Sequence, residues 1–208
     1  MLSNAALILA AGNGSRFGGD IPKQYHLLQN GKKILDHTIE KFRDVVDTIC
    51  VVIDPQYQNL FTDKSVDYTF GGKTRQESVR LGLEFLNQHK PKNVLIHDSA
   101  RPFVSSEIIS SVIRKLEKFE AVDVALPITD TIKTYAGKTI ERDSIYATQT
   151  PQGFDFEVIS SLHSEAFRSG RNDYTDDISL YLDSGRRNLG IVNGCQKNIK
   201  ITYRSDLI

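Results

Sequence analysis

The chain contains 208 residues, of which 26 are basic, 26 are acidic and 39% are hydrophobic. This length suits one well-buried core, and a net charge of zero argues against bulk attraction to nucleic acid. No apolar run approaches the roughly 20 residues of a membrane helix, and residues 1–9 lack the features of a secretion signal. We therefore expect one cytoplasmic domain over residues 1–208, with no membrane or nucleic-acid partner.

Short β-rich runs alternate with helical patterns along the whole chain. Strands are predicted at 5–9, 48–53, 66–70, 93–97, 122–126, 189–192 and 198–202, and helices at 34–42, 79–86, 108–116 and 156–166. Ser105, with Glu107 nearby, is a suitable start for the third helix. Such alternation is typical of crossover units, so the expected fold class is α/β with a mainly parallel sheet.

Residues 131–150 depart from this alternation. The stretch is polar, its hydrophobic residues alternate weakly, and Ala136-Gly137 indicates a turn. We predict a β-arm that projects from the domain. Because an isolated two-stranded hairpin is marginally stable in water, the arm should pack on another surface, which we expect to be a second copy of the chain.

The two cysteines of the chain, Cys50 and Cys195, lack the spacing of a metal site. Cys50 lies inside the apolar run 49–53. We expect both side chains to be buried structural thiols rather than partners in a disulfide.

A glycine-rich loop, residues 10–24, follows the first predicted strand. Gly12 and Gly14 allow close backbone approach to phosphate oxygens, and Arg16 and Lys23 supply two cations; ordinary solvated loop cations are the alternative. The dinucleotide fingerprint is excluded because Phe17 stands where its third glycine is required. The loop therefore indicates nucleotide binding without defining the chemistry.

The segment 71–78 contains a second pair of glycines between a predicted strand and a helix. Gly72-Lys73-Thr74 is not a P-loop, because Asp67 stands where that motif needs glycine. Gly72 and Ser78 either form a turn and a helix start, or hydrogen-bond the edge of a nucleotide base.

The fourth predicted strand ends in a polar cluster, at the edge where open α/β sheets bind ligands. Asp98 either holds a divalent ion on phosphate oxygens or pairs with Arg101 to fix the loop. His97 is expected to pack at the strand end rather than to bind a metal.

Two further segments are weaker signals. The predicted strand 198–202 places Lys200 on the face of Asn198 and Thr202, where it is either a ligand or a solvated lysine. Asp176 and Asp177 precede an apolar residue and are interpreted as a helix N-terminus rather than as an acidic ligand cluster with Asp173.

Taken in order, these segments resemble the 2-C-methyl-D-erythritol 4-phosphate cytidylyltransferase family. The resemblance rests on A-A-G-N-G-S-R with P-K-Q, G-G-K-T-R-Q-E-S-V, H-D-S-A-R-P-F, D-T-I-K, T-Q-T-P-Q, T-D-D and N-I-K-I-T. It implies a Rossmann-like nucleotidyltransferase fold with a mainly parallel mixed sheet, flanking helices and the β-arm. It also implies CTP, methylerythritol phosphate and magnesium as ligands, and a homodimer linked through the arm.

The resemblance also implies roles for individual residues. Arg16, Lys23 and Lys200 would be the catalytic cations, and Asp98 would hold Mg²⁺. The nucleotide-binding residues would be Ala10, Ala11, Gly12, Gly14, Gly72 and Ser78. The substrate-binding residues would be Asp98, Arg101, Thr131, Arg142 and Lys200, with Arg142 reaching the site of the neighbouring subunit.

The implied reaction is attack by the substrate phosphate on the α-phosphorus of CTP, giving 4-diphosphocytidyl-2-C-methyl-D-erythritol and pyrophosphate. Positioning and cationic stabilisation suffice for this step, because the attacking phosphate is already ionised and needs no general base. A ribitol-5-phosphate cytidylyltransferase and a non-catalytic nucleotide-binding protein are the alternatives.

Three features depart from the family pattern. Ser99 stands where the family commonly has alanine, and Lys197 stands where it often has an acidic residue, which leaves a second magnesium ligand unassigned. The sequence also stops at Ile208, where the family normally continues into a helix. We expect either a trimmed chain or the front half of a bifunctional polypeptide.

Overall fold

The computed structural model describes residues 3–207. Among these residues, seven strands join one sheet in the order β3-β2-β1-β4-β6-β5-β7. The strands are β1 Asn4–Ala10, β2 Thr48–Ile53, β3 Asp67–Phe70, β4 Asn93–Asp98, β5 Ala121–Pro127, β6 Tyr146–Asp155 and β7 Leu189–Asn193. The α-helices are α1 Ile34–Phe42, α2 Arg75–Leu86, α3 Ser106–Leu116, α4 Phe156–Arg168 and α5 Asp177–Asp183. Short 3₁₀ helices cover Lys23–Tyr25, Pro55–Leu60, Asn87–His89, Arg142–Ser144 and Arg204–Asp206.

The sheet is mixed, and one strand runs against the others. β1 pairs in parallel with β2 and β4, β2 with β3, and β5 with β7. β6 is antiparallel to both of its neighbours, β4 and β5. The predicted fold class is therefore confirmed, and the carboxyl ends of β1, β2 and β4 meet at one edge of the sheet.

Helices cover both faces of the sheet, which explains why the central strands are almost continuously apolar. Ile8 of β1 packs with α1 and α3 on one face, and Leu7 packs with α2 and α4 on the other. Gly82 lets α2 lie close to the sheet, because a Cβ atom there would come within 2.5 Å of Leu7. None of the helices within residues 3–207 is both long and apolar enough to cross a membrane.

The helix starts follow the sequence signals. Ser105 caps α3 by accepting a hydrogen bond from the amide of Ile108, and Asp176 caps α5 through the amide of Ser179. The predicted helix N-terminus at residues 176–177 is therefore confirmed.

Two predictions, one for the strand at 198–202 and one for the burial of Cys195, are wrong. Residues 198–202 form no strand; Asn198 is fully buried, while the Lys200 side chain is 40% exposed, so the expected common face does not exist. This segment is held instead by single bonds, such as that from the Ile201 amide to the Ala100 carbonyl at 2.8 Å. Cys195 is exposed, whereas Cys50 is buried as expected; both are free thiols.

The exposed connection between β5 and β6 corresponds to most of the predicted arm. Within the described residues, the β-pairing in this connection consists of one isolated antiparallel bridge between Lys133 and Thr139, on either side of the turn at Gly137. Tyr135 is fully exposed at this turn. Residues 146–150, which the sequence pattern places in the arm, instead form the first half of β6 and lie in the central sheet.

Candidate active site

A cavity of about 520 Å³ opens at the carboxyl edge of β1, β2 and β4. Five cationic and two acidic side chains line it, so its charge suits a polyphosphate. The cations are Arg16, Lys23, Lys73, Arg75 and Lys200, and the acidic residues are Asp54 and Asp98.

The glycine-rich loop is folded by one buried glutamine. The side-chain amide of Gln24, which is 2% exposed, donates to the carbonyls of Ala10 at 2.6 Å and Gly12 at 3.1 Å. Gly14 adopts φ +61°, a conformation that favours glycine, and a turn follows. Ala11, Gly12 and Gly14 line the cavity, whereas Ala10 is buried with its carbonyl bound to Gln24.

Lys23 and Arg16 extend from this loop along the cavity wall. The Lys23 ammonium donates to the carbonyl of Ile201 at 2.7 Å, which ties the loop to the C-terminal segment. Burial lowers the pKa of Lys23, and repulsion from Lys200 and Arg16 acts in the same direction, against attraction to Asp98. The ammonium of Lys23 is therefore partly desolvated and lies near the cations Lys200 and Arg16, and a bound anion would reduce the repulsion among the three.

The second glycine segment forms the opposite wall. The Ser78 hydroxyl accepts from the Gly72 amide at 3.1 Å and donates to the Thr74 carbonyl at 2.9 Å. Thr74 in turn caps α2 by accepting from the Glu77 amide. Gly72 and Ser78 both line the cavity, so turn formation and ligand contact are compatible at these positions.

Asp98 lies at the end of β4 between two cations. Its Oδ2 accepts from the Lys200 ammonium at 2.6 Å, and its Oδ1 lies 3.8 Å from Arg75 Nε. Burial raises the pKa of Asp98, but attraction to Arg75 and Lys200 outweighs burial and holds that pKa well below its usual range. Asp98 is therefore a fixed anion in a cationic cavity.

Arg101 does not form the ion pair with Asp98 that was one interpretation of the sequence. Its guanidinium donates to the carbonyls of Asn198 at 2.8 Å and Thr148 at 3.4 Å, and it does not line the cavity. His97 packs at the strand end as expected, with Nδ1 3.0 Å from the Thr150 hydroxyl. Burial lowers the pKa of His97 to about 4, so its imidazole is neutral near pH 7.

Thr131 and Arg142 lie on the exposed connection, away from the cavity of the same chain. The Arg142 guanidinium donates to the carbonyl of Thr129 at 2.8 Å. The structure therefore brings together Arg16, Lys23, Lys200 and Asp98, but not these two residues.

The sequence interpretation missed Arg75. This residue begins α2, lines the cavity, and pairs with the buried carboxylate of Asp177 at 2.8 Å. A cation in the first helical turn opposes the helix dipole and needs a nearby anion. An arginine at this unfavourable position in the sequence indicates a nearby anion, although the sequence does not identify Asp177 as that anion.

The donor set around Asp98 fits a metal that arrives with a nucleotide. Within residues 3–207, no group of three or more His, Cys, Asp or Glu side chains could hold a metal alone. Nucleotide-bound Mg²⁺ needs only one or two carboxylates, together with phosphate oxygens and water. Oδ1 of Asp98 receives no hydrogen bond from the described residues and is suitably placed for this role.

A mixed α/β sheet whose carboxyl edge carries a glycine-rich loop and a cation-lined cavity is the architecture of the Rossmann-like nucleotidyltransferase fold. The family model of IspD, 2-C-methyl-D-erythritol 4-phosphate cytidylyltransferase, matches residues 4–208. The chain belongs to this family, which confirms the resemblance seen in the sequence.

Individual relatives agree with this assignment. The chain is 41% identical over 212 residues to the bifunctional enzyme IspD/IspF of Granulibacter bethesdensis, covering 98% of this chain and 54% of the relative. The structure of the Francisella tularensis 2-C-methyl-D-erythritol 4-phosphate cytidylyltransferase has a TM-score of 0.84 and 32% identity, covering 99% of this chain and 96% of that one. The structure of the bifunctional IspDF of Campylobacter jejuni has a TM-score of 0.84 and 26% identity, covering 99% and 53%. The chain spans about half the length of the curated relatives it matches.

Proposed function

We propose that this chain transfers CMP from CTP to 2-C-methyl-D-erythritol 4-phosphate, releasing pyrophosphate. The observation that carries the proposal is the cavity itself, which is lined by five cations and also contains the ionised carboxylate of Asp98. Two anionic reactants must meet in this reaction, and such a cavity lowers the repulsion between them.

The nucleotide is proposed to lie between the two glycine segments. Gly12, Gly14 and Gly72 offer backbone that a ligand can approach closely, and Ser78 fixes the second segment. The ammonium of Lys23 would exchange its bond to the Ile201 carbonyl for a phosphate oxygen, relieving its repulsion with the neighbouring cations.

The substrate phosphate is proposed to approach near Lys200 and Asp98, which contact each other at 2.6 Å. Asp98 would hold Mg²⁺, which supplies neutralisation of phosphate charge when it is bound. Lys200 would then be free to orient the attacking phosphate oxygen toward the α-phosphorus. No residue needs to act as nucleophile or base, because the bond to phosphorus forms from an oxygen that is already ionised.

The arm is proposed to complete the site of a neighbouring chain in a homodimer. Thr131 and Arg142 do not line the cavity of their own chain, and the exposed connection carries the fully exposed Tyr135. An isolated arm of this kind has little stability of its own, so a partner surface would stabilise it. Arg142 would then contact the substrate bound by the partner.

Two broader statements belong to the same proposal. Residues 1–208 would form a single cytidylyltransferase domain, because the seven described strands share one sheet. A cytoplasmic location is supported by the free thiols of Cys50 and Cys195, since the cytosol keeps thiols reduced.

The test is magnesium-dependent pyrophosphate release from CTP, with methylerythritol 4-phosphate and ribitol 5-phosphate assayed in parallel. We expect turnover with the first substrate alone. Turnover with ribitol 5-phosphate instead would identify the chain as a ribitol-5-phosphate cytidylyltransferase. CTP binding without pyrophosphate release in the presence of either substrate would show a non-catalytic nucleotide-binding protein.

A further inference from the structure

A row of charged side chains leads from the cavity into the protein interior. Lys200 contacts Asp98, Arg75 lies 3.8 Å from Asp98, and the Arg75 Nη2 donates to Asp177 Oδ2 at 2.8 Å. Asp177 Oδ1 then accepts from His163 Nε2 at 3.0 Å. Asp177 and His163 are each 1% exposed, and neither lines the cavity.

Asp177 is a fixed anion in the interior. Burial raises the pKa of Asp177, but Arg75 and His163 outweigh burial and lower that pKa to about 2. The backbone amide of Asp177 donates to Gln152 Oε1 at 3.1 Å, which fixes the start of α5. A buried ion pair contributes little net stability compared with well-packed apolar residues, so stability alone does not explain this carboxylate.

The position of Arg75 depends on Asp177. Arg75 begins α2, where the helix dipole is unfavourable for a cation. Its Nη2 is hydrogen-bonded to Asp177, while its Nε stays 3.8 Å from Asp98, beyond hydrogen-bond distance. Without Asp177, the guanidinium would be free to close on Asp98 as a bidentate pair, the preferred geometry of arginine with a carboxylate.

We propose that Asp177, oriented by His163, is a positioning residue that holds Arg75 at the rear of the cavity. Arg75 then contributes positive potential to the phosphate site while Oδ1 of Asp98 stays free for ligands. The inference rests on the proposed function in one respect, namely that CMP transfer takes place in this cavity.

The first test compares two neighbouring substitutions of the same kind. Asp177→Asn keeps the size of the side chain but removes the charge that anchors Arg75. We expect kcat to fall on the order of 10- to 100-fold, the range for partners that orient an active-site ligand, with little change in either KM. Asp176→Asn is the matched control, because asparagine caps a helix as well as aspartate does. Asp176 forms no hydrogen bond or ion pair with Arg75 and attracts it more weakly than Asp177 does. Equal kcat in both variants, measured per folded molecule, would overturn the proposal.

A double-mutant cycle tests whether Asp177 acts through Arg75. We expect Arg75→Gln and the double variant Arg75→Gln/Asp177→Asn to have the same kcat, since the second change then removes nothing more. Independent, multiplicative losses would contradict a positioning role. If Asp177→Asn is not recovered folded, Arg75→Lys replaces it, because lysine keeps the charge but cannot contact both carboxylates in the same way, and it should lose kcat similarly.

A spectroscopic measurement separates this inference from the proposed reaction. In ¹⁵N-labelled protein, the Arg75 Nε–H signal is assigned by its absence in Arg75→Gln. We expect this signal at the same chemical shift in the wild type and in Asp176→Asn, and at a different chemical shift in Asp177→Asn, where the guanidinium is free to close on Asp98. An unchanged Arg75 signal in Asp177→Asn would refute the anchoring, whether or not the wild type transfers CMP.

Discussion

Substitution of Lys23 by methionine should separate catalysis from stability. The change removes one charged hydrogen bond, from Lys23 Nζ to the Ile201 carbonyl at 2.7 Å. A hydrogen bond of this kind contributes about 1.5 to 3 kcal/mol to the free energy of unfolding. The pKa of Lys23 is lowered by burial and by repulsion from Lys200, so its charge opposes folding at neutral pH, and this penalty disappears only as pH rises above 10.5. Methionine removes the penalty, which offsets the lost bond. We therefore expect a free energy of unfolding within about 1.5 kcal/mol of the wild type.

Catalysis should respond much more strongly. Loss of one pre-organised cation should reduce kcat about 10²- to 10³-fold, equivalent to roughly 2.7 to 4 kcal/mol of transition-state stabilisation. The assay is pyrophosphate release at saturating CTP, with thermal unfolding of the same samples. Lys33→Met is the matched control, because Lys33 Nζ also donates to a backbone carbonyl, that of Leu60, at 2.7 Å but outside the cavity. Full activity of Lys23→Met, or an equal loss in Lys33→Met, would refute the reasoning.

Three further outcomes are expected. Arg142→Ala should raise the KM for methylerythritol phosphate roughly 10- to 100-fold, which corresponds to the loss of one charged hydrogen bond, and should leave the KM for CTP unchanged. Steady-state kinetics checks this prediction. An unchanged KM for methylerythritol phosphate would show that Arg142 is not part of the site. Asp177 has a pKa lowered from 3.8 to about 2 by Arg75 and His163 despite burial, so it stabilises the fold above pH 3.8 and loses this effect as pH falls toward 2. Urea unfolding should accordingly show a flatter acid dependence in Asp177→Asn, and an identical slope would contradict this. Tyr25→Phe should keep or raise the melting temperature, because the Tyr25 hydroxyl is buried without a hydrogen-bond partner among the described residues; a clear decrease would indicate a bound partner such as water.

The central part of the fold was predictable because its signals are local. β1, β2 and β4 are apolar on both faces, and α1 and α3 carry apolar residues at helical spacing, so short windows of sequence suffice. The caps Ser105 and Asp176 are equally local signals.

β6 was missed because its buried residues are polar. Gln149 and Gln152 are 5% and 1% exposed, yet the polar Gln149 falls within the stretch 131–150 that predicts an exposed arm. Their polarity is satisfied by distant groups: Gln149 bonds the backbone of Cys195, and Gln152 bonds the backbone of Asp177. Such partners cannot be identified from the strand sequence alone, and Pro151 further weakens the strand signal.

The candidate site divides in the same way. One loop contains Gly12, Gly14 and Lys23, so a short stretch of sequence is enough to predict that they bind a nucleotide together. Arg75 and Asp177 are separated by 102 positions, and their pairing appears only when the fold brings the first residues of α2 and α5 together. The error at 198–202 has a related cause, since alternation there reflects contacts with the loop at Ala100 rather than a strand.

The most direct measurement is ³¹P NMR of the protein incubated with CTP, Mg²⁺ and methylerythritol 4-phosphate. We expect the signals of CTP and of the substrate monophosphate to decline together, while a diphosphate diester and pyrophosphate appear in equal amounts. CMP or CDP without a diester, or no change over many enzyme equivalents, would contradict cytidylyl transfer in this cavity.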